Sequence, residues 1–204
     1  LEKHDLILSR YCLQHSLNVC LTWVAKQLGP TLFYEYLQRF NIGRSTGIDI
    51  AGEAPGTLRL PGGNWYESDL GTNSFGQGLT VTTVQMLMAV SALANRGEMV
   101  MPHLMRSMIN DGRQYNALHT IIDTPIRAET AETITELLST SLEKEASIAL
   151  VPGYRVAGKT GTAQIATVGG YAPNITNASF VGWGPVDDPE FLVYIWFEKP
   201  TSSP

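Results

Sequence analysis

Helical patterning through the first two thirds of the chain, three extended segments in the last third, and no βαβ alternation predict an α+β fold, an antiparallel sheet covered by helices. Residues Leu6 to Leu28 repeat apolar positions at helical spacing, and the polar insert Gln14 to Asn18 is short enough to be a turn between two helices. After the Gly29-Pro30 break, Thr31 to Phe40 reads as a short amphipathic helix with Leu32, Phe33, Tyr36, Leu37 and Phe40 as its stripe. From Gly43 to Asn73 glycine and proline are dense, which predicts loop with brief extended pieces.

Thr82 to Asn95 carries a helix signature: Thr82 or Thr83 can cap it, apolar residues fill it, and Gly97 stops it. Met101 to Ile122 reads as two short strands around the turn Asn110-Asp111-Gly112. A helix from about Ala128 to Ala146 places Ile134, Leu137, Leu138 and Leu142 on one face. Three strands follow, Arg155 to Gln164, Asn177 to Gly184 and Phe191 to Glu198, joined by a Gly-Gly-Tyr loop and by Asp187-Asp188-Pro189.

The 204 residues are 44% hydrophobic and 16% charged, the balance of one globular domain. A net charge of -5 with no basic run argues against nucleic acid as a partner. The longest mainly apolar stretch, Met86 to Ala94, is less than half the roughly 20 residues that span a bilayer. Cys12 and Cys20, placed on one helix, would stand about 12 Å apart, beyond the roughly 7 Å that a disulfide bridges, so two buried thiols are expected. His4, His15, His103 and His119 are scattered, so no metal is expected, and nothing asks for a cofactor.

The segment Val156 to Gln164 combines a strand pattern with two glycines flanking Lys159. Glycine in a strand often marks close approach of another backbone, so a peptide could add along this edge. Lys159 offers a positive charge to a carboxylate, and Thr160 and Thr162 offer hydroxyl and amide donors. Alternation sends Lys159 and Thr162 to opposite faces, and an exposed lysine on a surface strand is the plainer reading of spacing alone. Ser16-Leu17-Asn18, by itself, is an ordinary helix cap.

Taken together, these segments resemble the class B penicillin-binding proteins. The blocks LQHSLNV, LGPTLFYEYLQRFNIG, TGIDIAGEAPG, NSFGQGLTVTTVQMLMAVSALANRGEMVMPHL, VPGYRVAGKTGTAQ and ASFVGWGPVDDPEFLVYIWFEKP follow in that family's order. The resemblance implies a penicillin-binding transpeptidase or β-lactamase-like fold. It matches Ser16 and Asn18 to the family's Ser-x-Asn motif, and Lys159, Thr160, Gly161 and Thr162 to its Lys-Thr-Gly-Thr motif. It further implies that Ser16, Asn18 and Lys159 act in catalysis, while Thr160, Gly161 and Thr162 receive the substrate carboxylate.

The family's first motif, Ser-x-x-Lys, does not precede Ser16. Its spacing occurs only at Ser141-Leu142-Glu143-Lys144, late in an amphipathic helix, which is read as structural. The expectation is therefore a partial transpeptidase domain over residues 1 to 204, incomplete at both ends, lacking the nucleophile helix and the last helix, and inactive by itself. For the parent protein the resemblance implies peptidoglycan cross-linking from D-Ala-D-Ala stem peptides. It also implies β-lactam binding, partners in a cell-wall synthesis complex, and an anchored place on the outer face of the bacterial cytoplasmic membrane. A catalytically dead scaffold and a β-lactamase or β-lactam sensor are the competing readings.

Overall fold

The computed structural model describes residues 10–145, 147–167 and 170–201. Leu6 to Ser9 of the first expected helix, His4 and Ala146 lie outside them. Residues 10–14 are helical, residues 15–17 turn, and α1 spans Asn18–Arg39. The polar insert is thus a turn between two helices.

That turn overturns the expectation of two thiols. Cys12 and Cys20 form a disulfide, with their Cα atoms 5.9 Å apart. The 12 Å separation presumed one continuous helix, and the reversal at Ser16 folds the two cysteines onto each other.

Helix α1 bends at Gly29, whose φ of 76° and ψ of 160° interrupt the helix just before Pro30. Proline cannot donate to the preceding turn, so the break falls where Gly-Pro put it. Beyond the bend the stripe differs from the expected one: Tyr34 is buried, Phe33 and Leu37 pack beside it, and Leu32 and Tyr36 are exposed. Tyr34 is buried because its polar tip is satisfied, accepting from Trp65 Nε1 at 2.9 Å and Asn73 Nδ2 at 2.8 Å.

A second correction falls in the glycine-rich region, where α2 spans Glu67–Ser74. Its start is held by Asp69, whose Oδ2 accepts from the Tyr66 amide at 2.8 Å. The rest of the region is loop, fastened at several points: Thr57 bridges Thr80, Asp49 accepts from the amides of Leu104 and Met105, and two further contacts hold its start. The Glu53 carboxylate accepts from the Thr46 hydroxyl at 2.5 Å and from the Gly47 amide at 3.0 Å. Gln85, fully buried, donates from Nε2 to the carbonyls of Arg44 at 2.5 Å and Pro55 at 2.6 Å.

Gln85 belongs to α3, Thr83–Ala94, and completes a capping box: Thr82 Oγ1 accepts from the Gln85 amide, and Gln85 Oε1 accepts from the Thr82 amide. Strand β1, Met99–Val100, pairs with β4, Ile121–Asp123. Between them β2, Ser107–Asn110, and β3, Arg113–Asn116, form the expected hairpin around Asp111-Gly112. Arg39, at the end of α1, donates to Asp123 at 3.3 Å and to the Thr124 carbonyl at 2.6 Å, tying α1 to β4.

Helix α4, Ala128–Glu145, buries Leu137, Leu138 and Leu142 on the face read from the sequence. The final sheet has the order β5-β6-β7, all antiparallel, from Ala157–Thr167, Gly170–Gly184 and Phe191–Phe197. Its first two strands run further than expected, because Ala166 pairs with Tyr171 past an irregularity after Gln164. Gly170 and Tyr171 of the expected loop thereby belong to β6, and Gly169 lies outside the described residues.

One face of this sheet is core: Ala157 and Trp183 pack with Leu138, with Val90, Leu93, Ile134 and Leu192 around them. The helices therefore cover the sheet from the side on which Ala157 points. On the opposite face the Phe180 ring lies across a cross-strand pair of glycines, Gly158 and Gly182. A Cβ on either would stand 2.8 Å from the ring. Phe191, Val193, Ile195 and Phe197 of β7 are exposed on that second face.

Candidate active site

Strand β5 is an edge of the sheet, and its pairing with β6 runs without interruption from Ala157 to Gln164. Side chains alternate, so Lys159 points to the helix-covered side with Ala157, whereas Thr160 and Thr162 point to the other. The helix-covered side is also where the turn between the first two helices arrives. Lys159 Nζ donates to Ser16 Oγ at 2.5 Å and to its neighbour's carbonyl, Thr160 O, at 3.2 Å.

Ser16 occupies the tip of that turn with a φ of 50°, a left-handed backbone that a serine seldom adopts. The conformation turns Oγ toward β5. A cleft of about 190 Å³ opens here, between Gln14, His15 and Ser16 of the turn, Ser141 and Leu142 of α4, and Gly158, Lys159 and Thr160 of β5. A hydroxyl held against an ammonium suits proton transfer, because the charge favours the oxygen's deprotonated form and the hydrogen bond gives the proton a path.

Of the six residues singled out in the sequence, the structure brings Ser16, Lys159 and Thr160 to one cleft. Asn18 is exposed as the first residue of α1, and Thr162 is exposed further along β5, so neither lines it. Gly161 sits against Ser179: its carbonyl accepts from Ser179 Oγ at 3.4 Å, and a Cβ there would stand 2.6 Å from that oxygen. A side chain at residue 161 would therefore require the Ser179 hydroxyl to rotate away and give up its bond to the Gly161 carbonyl.

Sequence reasoning missed Gln14, His15, Ser141 and Leu142 as cleft residues. Ser141, which opens the Ser-x-x-Lys spacing read as structural, is buried at the cleft wall, and Lys144 is exposed. No local pattern marks these residues, since their place depends on how α4 packs on β5. On the same face, Tyr194 stands two strands from Lys159 through Val181. Burial pushes its phenol up, against the opposing effect of a hydrogen bond with Ser179, so it adds no negative charge beside the lysine at neutral pH. Among the described residues, no three His, Cys, Asp or Glu side chains gather as a metal site.

Comparison with known proteins finds relatives along almost the whole chain. The chain is 34% identical over 194 residues to Stage V sporulation protein D of Bacillus subtilis, covering 92% of this chain and 29% of that protein. It is 33% identical over 201 residues to the probable peptidoglycan D,D-transpeptidase PbpC of Pseudomonas aeruginosa, covering 98% of this chain and 34% of that one. The chain spans about a third of the length of these curated relatives.

Among solved structures, penicillin binding protein 3 of Mycobacterium tuberculosis in its apo form superposes with a TM-score of 0.88 at 28% identity, covering 95% of this chain and 46% of that one. The same protein complexed with aztreonam gives 0.87 at 28% identity, covering 95% and 45%. Residues 4–203 match the penicillin binding protein transpeptidase domain. With that match over nearly the whole chain, and with relatives at 33% and 34% identity, the chain belongs to the penicillin-binding protein transpeptidase family.

Proposed function

We propose that the protein carrying this chain is a serine D,D-transpeptidase that cross-links peptidoglycan by acyl transfer from stem peptides ending in D-Ala-D-Ala, and that β-lactams acylate it. The observation that carries this reading is the hydrogen bond from Lys159 to Ser16, made between a glycine-flanked strand edge and a turn far away in sequence.

In this reading Ser16 passes a proton between lysine and the leaving nitrogen, and Lys159 holds Ser16 while making the cleft positive for a carboxylate. Thr160 and Thr162, on the outward face of β5, receive that carboxylate as the substrate peptide lies along the edge strand. Gly161 keeps the strand flat enough for the approach, the Thr162 amide serves as one donor to the oxyanion, and Asn18 holds the substrate amide. The attacking serine and its lysine come from a Ser-x-x-Lys segment upstream of this domain portion, since a serine hydroxyl needs a base to become a competent nucleophile.

The Cys12–Cys20 disulfide supports a place outside the reducing cytoplasm, in the bacterial envelope, and we assign the parent to the outer face of the cytoplasmic membrane. There it would work with other proteins of a cell-wall synthesis complex.

The test uses the full-length protein. It is incubated with a fluorescent penicillin, and the labelled peptide is identified by mass. The reading requires a stoichiometric adduct on an upstream serine, and its loss with Lys159→Ala. An adduct on Ser16 or Ser141, or none at all, overturns it.

A further inference from the structure

Cys12 and Cys20 lie at equal sequence distance on either side of Ser16, and their disulfide joins the last described turn of one helix to the first turn of the next. Cys12 is buried, so one end of the link is anchored in the interior. The turn it spans lacks a glycine at its left-handed position and a side-chain cap on the helix that follows. Ser16 adopts the left-handed backbone without being glycine. Leu17, at the start of α1, offers no side-chain cap, and the first turn of α1 carries no acidic residue.

The backbone amides of the turn all reach back into the first helix: His15 to the Tyr11 carbonyl at 3.0 Å, Ser16 to the Leu13 carbonyl at 3.3 Å, and Leu17 to the Cys12 carbonyl at 3.0 Å. Those bonds permit the turn without compelling it, since a serine that relaxed to an ordinary backbone would extend one of the flanking helices. Closing the two shoulders covalently removes that alternative. A continuous helix would carry the cysteines about 12 Å apart, a separation no disulfide spans.

We propose that the Cys12–Cys20 disulfide is a positioning element of the active site: by fixing the shoulders of the turn it holds Ser16 Oγ at Lys159 Nζ, and so sets the rate of acylation. Cys12 and Cys20 are positioning residues, acting through Ser16 and touching no substrate. The inference rests on the proposed role of Ser16. It goes beyond stability, because a staple that only resisted unfolding would leave the chemistry of the folded protein unchanged.

The experiment compares oxidised full-length protein with the double variant Cys12→Ala/Cys20→Ala and with Cys20→Ala, which keeps the buried Cys12 side chain. Two quantities are measured well below each protein's melting temperature. One is amide hydrogen exchange over residues 13–17. The other is stopped-flow acylation by a fluorescent penicillin, resolved into pre-acylation binding and the acylation rate constant.

In both variants exchange at Ser16 and Leu17 should rise, and the acylation rate constant should fall between about tenfold and about a hundredfold, with pre-acylation binding nearly constant. Dithiothreitol should impose the same loss on the wild type and none on the double variant. An unchanged rate constant, whatever happens to the melting temperature, overturns the proposal, and so does unchanged exchange at the turn. Should the oxidised wild type itself fail to acylate, the transpeptidase reading falls, and exchange alone decides whether the disulfide holds the turn.

Discussion

Lys159 and Ser16, 143 positions apart, meet at 2.5 Å, nitrogen to hydroxyl oxygen. This contact makes Lys159→Ala the first variant to study. In the full-length protein the substitution should lower the acylation rate constant by roughly a hundredfold to a thousandfold, the range seen when one donor to a developing charge is removed. The side chain is only partly buried, so the melting temperature should hardly move. Lys159→Arg should not restore the rate, because a planar guanidinium cannot take the place of a compact ammonium against Ser16. A stopped-flow trace matching wild type for either variant would remove Lys159 from the mechanism.

The loop from Gly43 onward should depend on one residue of α3. Gln85→Leu removes donors from the carbonyls of Arg44 and Pro55 and an acceptor from the Thr82 amide; Gln85 is fully buried, whereas Arg44 and Pro55 are exposed and the three bonds are part-buried. A buried group left unpaired costs about 1 to 3 kcal/mol, and water can reach the carbonyls of Arg44 and Pro55, so a total loss of about 1 to 3 kcal/mol is expected. Hydrogen exchange should show residues 44–57 opening before the rest. Uniform exchange across the domain would contradict this.

Gly97 and Gly112 both have positive φ, 95° and 73°, yet substitution should affect them differently. A Cβ at Gly97 would stand 2.2 Å from the Ile126 carbonyl oxygen, whereas at Gly112 nothing lies within 4 Å. Gly112→Ala should cost about 1 kcal/mol for the backbone alone, and Gly97→Ala about 1 to 3 kcal/mol more, because backbone must shift. Thermal melts of the two variants give the comparison, and equal midpoints would refute it.

Asp123 should contribute a small, acid-sensitive share of stability. Its side-chain hydrogen bond with Arg39 holds its carboxyl below the ordinary value near 3.8. A carboxyl depressed on folding stabilises the protein above its unfolded value, and that share is lost as pH falls from about 4 through the depressed value. Both side chains are more than a third exposed, so screening limits the effect to about 1 kcal/mol or less. Asp123→Asn should flatten stability against pH in that acid window, and added salt should reduce the wild-type effect. A pH profile unaltered by the substitution would show that the pair is immaterial.

Much of the fold was legible because its signals are local. Thr82 or Thr83 as a cap and Gly97 as a stop announce α3, Ile134, Leu137, Leu138 and Leu142 announce α4 by spacing, and Asp111-Gly112 announces a hairpin. Helix α2 was hidden since Glu67–Ser74 is short, polar and interrupted by Gly71, and its start is held by Asp69 acting on a neighbouring amide. The disulfide was hidden by the assumption that Cys12 and Cys20 share one helix.

The candidate site was legible only where two motifs could be matched to a family. Spacing cannot bring Ser16 to Lys159, nor place Ser141 and Leu142 beside them. Those meetings depend on how α4 and the first turn pack against β5, which no window of sequence contains.

The glycine pair beneath Phe180 bears on how the strand carrying Lys159 finds its place. Antiparallel strands could in principle slide past one another by two residues and keep every side chain on its proper face. Such a slip would bring Val156 or Thr160 opposite Gly182, where the ring leaves no room for a Cβ. Only one alignment offers the ring two bare backbones at once. Gly158 and Gly182 therefore work as a key, and Phe180 as the lock that proofreads the alignment. A strand that passes this check has already delivered its lysine to the correct address.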